Sequence, residues 1–565
     1  MNALNPLGRP LPRSLSSTRS FRRRCAGSLV MAAVAVCVAG PWSAEAAEAV
    51  TDEPAAGASA GKTRPGSGRS APPRLRIEGL EVLDAEGLTR QWQASLDRQW
   101  DRAGIEAVIR GVERQVREAG RPFARVHLPV DGTADGMANG TADGTLRIIV
   151  VEGRYGRVAL RGGAAGAAAA WLDDIRPGRP LGDELERQVQ FLSRLPGVAA
   201  SASLGPGSEV GEGDVDLLVE QERRWSLDLK ADNHGNRFAG RGRGSVAGHV
   251  NGLLRFGDRL TARAGANDGR GWDGAAAYQL PLGTRGARVS LTASRQHHEL
   301  GREFALLRAQ GQVDAVGATA VVPLTTRGPG SLTWHIGLEG RRIVHVQKAV
   351  TLSDPRRAIA VTTGLQAVMY PSAGTAAWGA LWMEAGHLRL GDASAAAFDA
   401  ASARSAGEYL VLAADAAVLR QWQGWGLLLR GSGQIADKNL DASRKFALGG
   451  ARSVRAWPSG EASGDHGVLA QMELRYRCGT LEPFGFVDAG RVRFSHTPWD
   501  TSARARTRPQ GRTLAGAGVG LRWQHGAWRA EGTAAWRIGT AAQRVSVSDP
   551  KGRAPQVWVS VGYAL

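Results

Sequence analysis

From Trp225 to the C-terminus the chain alternates apolar and polar residues in strand-length segments separated by Gly-rich turns. Val468, Ala470, Met472, Leu474 and Tyr476 share one face of such a segment, and Gln471, Glu473, Arg475 and Arg477 share the other. Ala515, Ala517, Val519, Leu521 and Trp523 alternate with Gly516, Gly518, Gly520, Arg522 and Gln524 in the same way. A two-residue period of this kind fits a strand with one face in lipid and the other in a polar interior. A soluble antiparallel sandwich also alternates, so the connections must decide.

Sixteen segments of this type begin between Trp225 and Gln556. In the second half Gln421-Trp422-Gln423, Cys478-Gly479-Thr480 and His525-Gly526-Ala527 read as tight turns, whereas the links at 389–407, 438–466, 495–512 and 539–555 are long. Short turns at one end and long loops at the other mark an outer-membrane barrel. An even strand number returns both barrel ends to the periplasm. Trp422, Trp425, Trp523 and Trp528 gather beside the tight turns, as an interfacial girdle requires. The last segment sets Val557, Val559, Val561, Tyr563 and Leu565 outward. It must pair with the first, because lipid does not tolerate an open sheet edge. The expected fold is an all-β transmembrane barrel of 16 antiparallel strands over 222–565, preceded by small α+β domains.

The N-terminus reads as a secretory signal over residues 1–46. Arg22-Arg23-Arg24 precede an apolar run from Leu29 to Ala39, and cleavage options follow at Ala44-Glu45-Ala46 or Ala47-Glu48-Ala49. Beyond it no run of about 20 apolar residues occurs, so no membrane-spanning helix is expected in the mature chain. Of the net charge of +18, the six arginines and one glutamate of 1–46 carry +5, leaving +13 on the remainder. The arginines are scattered among Gly and Ala rather than clustered, which argues against nucleic acid as a partner. Cys25 and Cys37 fall in the signal, and Cys478 alone remains, too few for a disulfide framework or a zinc site. Residues 47–73, rich in Ala, Gly, Pro and Ser, read as a flexible linker. Within it Gly57-Ala58-Ser59-Ala60-Gly61 and Gly61-Lys62-Thr63 mimic catalytic and phosphate-binding motifs but lack the flanking strand and helix.

Residues 74–153 and 154–221 read as two small α+β units. In the first, a strand starts at Leu75. A helix carries Ile105, Val108, Ile109, Val112 and Val116 on one face and stops at Gly120, and strand-like runs follow at 122–130 and 145–152. Gly-Thr-Ala-Asp-Gly occurs twice between those runs, at 132–136 and 140–144, and reads as a surface hairpin loop. In the second, a strand at 157–160 precedes a helix capped by Asp183 with Leu185, Val189 and Leu192 on one face; strands close it at 198–204 and 214–220. Two such units in tandem suggest binding modules rather than an enzyme.

The most distinctive stretch is Gly449 to Gly467, a Gly- and Ser-rich loop around Val454-Arg455-Ala456-Trp457. A later strand reads Phe486-Val487-Asp488-Ala489-Gly490. Together with Asp232-Asn233, Gly257-Asp258 and the junction Ile149-Val150-Val151-Glu152-Gly153, these residues resemble the outer-membrane transporters of two-partner secretion, the haemolysin secretion/activation proteins. The resemblance covers nearly all of the mature chain. It implies that 74–153 and 154–221 are POTRA domains and that 438–466 is the sixth external loop of the barrel. That family usually has Gly and then Tyr or Phe where this chain has Ala456 and Trp457. Ala does not readily adopt a left-handed backbone, so the loop tip must take an ordinary conformation. Some relatives thread an N-terminal plug helix through the barrel, but Pro54, Pro65, Pro72 and Pro73 make 47–73 poor helix material.

Asp488 has inward parity, and a lumen acid needs a partner. Loop six is expected to fold back into the barrel and pair Arg455 with Asp488, supported by Val454, Ala456, Trp457, Phe486 and Gly490. The resemblance implies an unfolded secreted exoprotein as periplasmic partner, with outer-membrane lipid and the barrel assembly machinery as further partners, in a Gram-negative bacterium. Client capture by strand addition is expected at an open sheet edge, near Val198 to Leu204 or Val126 to Val130. His297-His298-Glu299 lacks metalloprotease spacing. No catalytic constellation stands out, and no cofactor or metal is expected. An assembly insertase of the same superfamily and a passive porin are the alternatives.

Overall fold

The structure is a computed structural model, and it describes residues 74–99, 102–128, 145–325, 330–350, 352–499, 509–550, 552 and 554–565. The signal at 1–46, the linker at 47–73 and the repeated Gly-Thr-Ala-Asp-Gly loop lie outside the described residues.

Leu75 and Ile77 alternate with polar residues and form β1 (Arg74–Glu78). Asp84 then caps α1 (Ala85–Arg98), its carboxylate accepting from the Glu86 and Gly87 N–H groups. This helix was not foreseen; its apolar stripe is only Leu88, Trp92 and Leu96 in a polar background. The strongly periodic α2 (Arg102–Glu118) buries Val108, Val112 and Val116 completely, each stabilising the unit by roughly 1.5–3 kcal/mol. Strands β2 (Arg125–His127) and β3 (Thr145–Val151) complete a sheet of order β1-β3-β2, with β1 parallel and β2 antiparallel to β3. The β2 strand is much shorter than its apolar run suggested, because Arg121 to Ala124 form a turn.

Buried Glu152 ends this unit. It accepts from the Glu81 and Val82 N–H groups and from Arg121 Nε. The second unit repeats the plan with β4 (Arg154–Arg161), α3 (Ala165–Ala168), α4 (Glu184–Ser193), β5 (Val198–Pro206) and β6 (Glu212–Gln221), in sheet order β4-β6-β5. Asp183 occupies the N-cap position of α4 but makes no capping bond: its own backbone is helical, at φ −62° and ψ −12°, instead of extended. The unit seats on the short-turn end of the barrel. A Cβ on Gly286 would stand 2.7 Å from Phe191, and one on Gly257 3.0 Å from Leu195.

The sixteen barrel strands are β7 (Trp225–Asp232), β8 (Arg243–Asn251), β9 (Arg259–Asn267), β10 (Trp272–Leu282), β11 (Ala287–Glu299), β12 (Ala309–Thr325), β13 (Ser331–Gln347), β14 (Leu352–Ser372), β15 (Thr375–Leu390), β16 (Gly407–Trp422) and β17 (Trp425–Ala436), followed by β20 to β24. Between β15 and β16 lies the external helix α5 (Ala393–Ala401). Between β17 and β20 (His466–Tyr476) lies the long sixth loop, with its own hairpin of β18 (Phe446–Leu448) and β19 (Ala462–Gly464). Strands β21 (Leu481–Arg493), β22 (Gly511–His525), β23 (Trp528–Arg537) and β24 (Gln556–Ala564) complete the cylinder. Every neighbouring pair is antiparallel, and β24 closes on β7 through Ser560↔Asp232 to Ala564↔Asp228. The alternation places Val468, Met472, Leu474 and Val487 on the exposed outer face and buries Glu473 and Asp488 inside. Trp425 packs on Tyr476 and Trp528 on Tyr563 beside the short turns, forming part of an aromatic girdle. Among the described residues no helix is long and apolar enough to cross a membrane.

Candidate functional site

Loop six turns back into the barrel. Its hairpin brings Leu448 over Gly490, where any side chain would collide: a Cβ there would lie 2.8 Å from Leu448. Beyond the hairpin the chain reverses tightly, Trp457 N donating to Val454 O at 3.1 Å and Gly450 N to Trp457 O at 2.8 Å. Val454, Ala456 and Trp457 are buried with Phe484, Phe486, Val492 and Leu514 in one apolar cluster. Arg455 is thereby presented to the barrel wall.

Its guanidinium meets Asp488 through two parallel bonds, Nε to Oδ2 and Nη2 to Oδ1, both at 2.8 Å. The Arg455 backbone N–H adds a third bond to Oδ2 at 3.0 Å. Nη1 reaches Glu473 Oε2 at 2.8 Å, and the guanidinium carbon lies 3.4 Å from the Phe486 ring centre. Asp488 is fully buried and also accepts from Gln471 Nε2 at 3.2 Å. A two-pronged, stacked Arg–carboxylate pair fixes geometry in a way a point charge does not. With both charges out of water, removal of the Arg455 side chain leaves Asp488 buried with only the neutral Gln471 amide and the backbone N–H, whereas removal of Asp488 leaves Arg455 with Glu473 alone.

Ala456 takes an ordinary backbone conformation, outside the left-handed region. Space for its methyl comes from the facing strand: a Cβ on Gly516 would lie 2.3 Å from the Ala456 Cβ. Trp457 donates Nε1–H to Ala515 O at 3.0 Å, and its ring meets the guanidinium groups of Arg512 at 5.2 Å and Arg537 at 4.7 Å. Neither departure from the family pattern keeps Arg455 from Asp488.

The structure thus gathers Val454, Arg455, Ala456, Trp457, Phe486, Asp488 and Gly490 at one place. Six contributors were missed, among them Arg512 and Arg537 on the Trp457 ring. Glu473 and Gln471 share inward parity on the strand beside Asp488, so parity carried their signal. Trp558 sits inward between outward valines and donates Nε1–H to Arg455 O at 2.7 Å. Gly516 gave no signal, because its role exists only through register. Glu473 is itself shared with Arg522, whose Nη1 lies 2.8 Å from Oε1 and 2.9 Å from Glu482.

The root of loop six is fastened to the opposite wall. Arg444 Nη2 meets Glu339 at 3.0 Å, and Asp441 pairs with Arg356. Burial pushes the Asp441 carboxyl up, but the Ser443 hydroxyl and N–H and the Arg356 guanidinium outweigh it and hold it below the usual carboxylate range. His297 to Glu299 end β11, and among the described residues no group of three His, Cys, Asp or Glu side chains is placed to hold a metal ion. In the α+β units, among the described residues, β5 and β2 each pair on one side only, and most of β5 is solvent-exposed.

A closed sixteen-stranded barrel with an apolar outer face, an inward-folded sixth loop and two preceding α+β units defines a β-barrel membrane protein. Residues 211–523 match the family described as haemolysin secretion/activation protein ShlB/FhaC/HecB, and the chain belongs to that family. It is 26% identical over 347 residues to the heme/hemopexin transporter protein HuxB of Haemophilus influenzae strain 86-028NP, covering 59% of this chain. The chain spans about 60% of the length of the curated relatives it matches. Among solved structures it is similar to CdiB from Escherichia coli (TM-score 0.69, 19% identity, 87% of this chain and 90% of that one). CdiB from Acinetobacter baumannii is similar too, with TM-score 0.64 and 14% identity over 87% of this chain and 89% of that one. These two likenesses concern the fold. The family places the barrel in the Gram-negative outer membrane, and short turns lie at the periplasmic end of such barrels.

Proposed function

We propose that the chain is a two-partner secretion transporter that captures an unfolded exoprotein in the periplasm and passes it through the barrel to the cell surface. Residues 74–153 and 154–221 act as POTRA domains, and the client adds as a strand to an open edge of their sheets. Arg455 and Asp488 hold loop six inside the lumen, and that hold must be released and remade as the client passes. The observation that carries this reading is the buried, bidentate Arg455–Asp488 pair at 2.8 Å inside a closed barrel. A lumen filled by a fastened loop fits a gated passage better than an open pore. The family's members are transporters, and no enzymatic step is assigned to this chain. The client is an adhesin- or haemolysin-type exoprotein; the HuxB likeness adds a haem- or hemopexin-binding exoprotein to the clients worth testing.

The test is a comparison of culture-medium and surface proteins between the native bacterium and a strain lacking this chain. One or a few large exoproteins should vanish from the deletion strain. Wild-type chain should restore them, and Arg455→Ala and Asp488→Ala should not, although both barrels assemble. Full export by both variants overturns the role given to the pair. An unchanged set of external proteins in the deletion strain overturns secretion altogether.

A further inference from the structure

Loop eight, between β23 and β24, lies against loop six through a single buried acid. The Glu461 side chain, on loop six, is wholly buried, and its carboxylate accepts from Ser546 Oγ and Val547 N at 2.7 Å, Ser548 N at 3.4 Å and the Ser548 hydroxyl. Arg512 Nη2 completes the set at 2.6 Å. Apart from Arg512, these donors all come from loop eight. The two arginines on the Trp457 ring are held by the same loop: Arg512 donates to Val545 O at 2.8 Å, and Arg537 donates to Arg544 O at 3.0 Å and Ala456 O at 3.3 Å. Loop eight is also tied to the first loop, Arg241 Nη2 lying 2.6 Å from Asp549 Oδ2.

A buried carboxylate cannot shed its donors cheaply, because water is absent to replace them. Lifting loop eight alone would leave Glu461 with Arg512 in place of five donor groups; moving loop six alone would strand the Ser546 to Ser548 segment. We propose that Glu461 is a positioning residue that fastens loop eight across loop six. It thereby keeps Arg512 and Arg537 on Trp457 and the Arg455 tip against Asp488, so that the two loops are released together. This rests on the reading that the Arg455–Asp488 pair holds loop six inside.

The test is hydrogen–deuterium exchange on the full-length barrel in lipid vesicles, with folding checked by heat-modifiable gel migration. Glu461→Gln converts charge-assisted bonds into neutral ones. It should speed exchange both in loop eight and across Val454 to Trp457 by about tenfold or more, and raise the frequency of large openings in a planar bilayer. Glu461→Asp, which keeps the charge, should restore much of the protection. Faster exchange in loop eight with Val454 to Trp457 unchanged overturns the proposal, since Glu461 then only staples loop eight. If Glu461→Gln does not fold, Ser546→Ala with Ser548→Ala removes two donors but leaves the Arg512 pair, and must give the same two-loop response. Export is not read in this assay. Failure of the secretion reading would therefore show in the external-protein comparison, and failure of the fastening in exchange.

Discussion

Trp558, on the last barrel strand, donates its indole N–H to the backbone carbonyl of Arg455 at 2.7 Å. The residue that meets Asp488 through its side chain is therefore held through its backbone by the strand that closes the barrel on β7. Trp558→Phe keeps an aromatic ring of smaller volume and leaves that buried carbonyl without its donor, at a cost of about 1–3 kcal/mol for the bond on top of the space left by the lost pyrrole ring. The expected outcome is a lower temperature of gel-mobility conversion and earlier proteolysis within loop six. Unchanged values in both measurements would show that the bond contributes nothing.

The Arg455–Asp488 pair should behave as a unit. Arg455→Leu should destabilise the barrel by roughly 3–5 kcal/mol, because it strands the buried Asp488 charge; Asp488→Leu should cost less, because Arg455 keeps Glu473. The double variant should lose clearly less than the sum. Arg455→Lys keeps the charge but forfeits the fork and the stack on Phe486, and should act closer to Leu than to wild type. Denaturant unfolding from vesicles measures all four; simple additivity would mean that the two side chains are independent.

The barrel was legible because lipid and lumen impose a strict period of two, and a one-residue slip would turn Val487 inward and Asp488 into lipid. Parity thus located Asp488, and the loop motif located Arg455. The partners drawn from the neighbouring strands of the same wall were not legible. Arg512, Arg537 and Gly516 become neighbours of the tip only through strand register and the path of the loop. Helix α1 was missed for a different reason: three apolar residues spaced by four in a polar sequence bury one narrow stripe, a weak periodic signal. Asp183 shows the converse, a residue type suited to capping whose backbone conformation denies it the role.

Gly516 and Ala456 should show reciprocal compensation. Gly516→Ala places a methyl 2.3 Å from the Ala456 Cβ and 3.1 Å from the Trp536 carbonyl oxygen, and should push the tip off the wall and reduce export several-fold. Ala456→Gly in the same chain removes the first collision and should recover most of the export. If Gly516→Ala alone exports normally, the close approach is not what seats the tip.

Acid should loosen the root of loop six. The folded Asp441 carboxyl is held below its ordinary range, so its contribution is fully present above the unfolded value of about 3.9. That contribution is lost as pH falls through the lowered folded value. Asp441→Asn should remove this part of the pH dependence, leaving loop six equally accessible to protease at neutral pH and on the acid side. The check is the difference between wild type and variant across that range; parallel curves would assign the acid response to other carboxylates.

The free edge of β5 can be tested one amide at a time. Glu222 N donates to Gly197 O at 2.9 Å and Gly207 N to Glu212 O at 3.0 Å. With the register Val198↔Gln221 to Pro206↔Gly213, the bonded pairs of this ladder fall at the odd-numbered residues of β5. The N–H groups of Ala200, Ala202 and Leu204 therefore face away from β6, toward the open side. Ala202→Pro removes one outward donor and no ladder bond. It should leave the unit folded and lower the amount of exoprotein in the medium. Ser201→Pro removes an inward donor and should instead destabilise the unit itself, visible as protease cleavage near β5 in the assembled protein. Full export by Ala202→Pro would rule out the β5 edge as the docking strand and move the test to β2, whose open side is only three residues long.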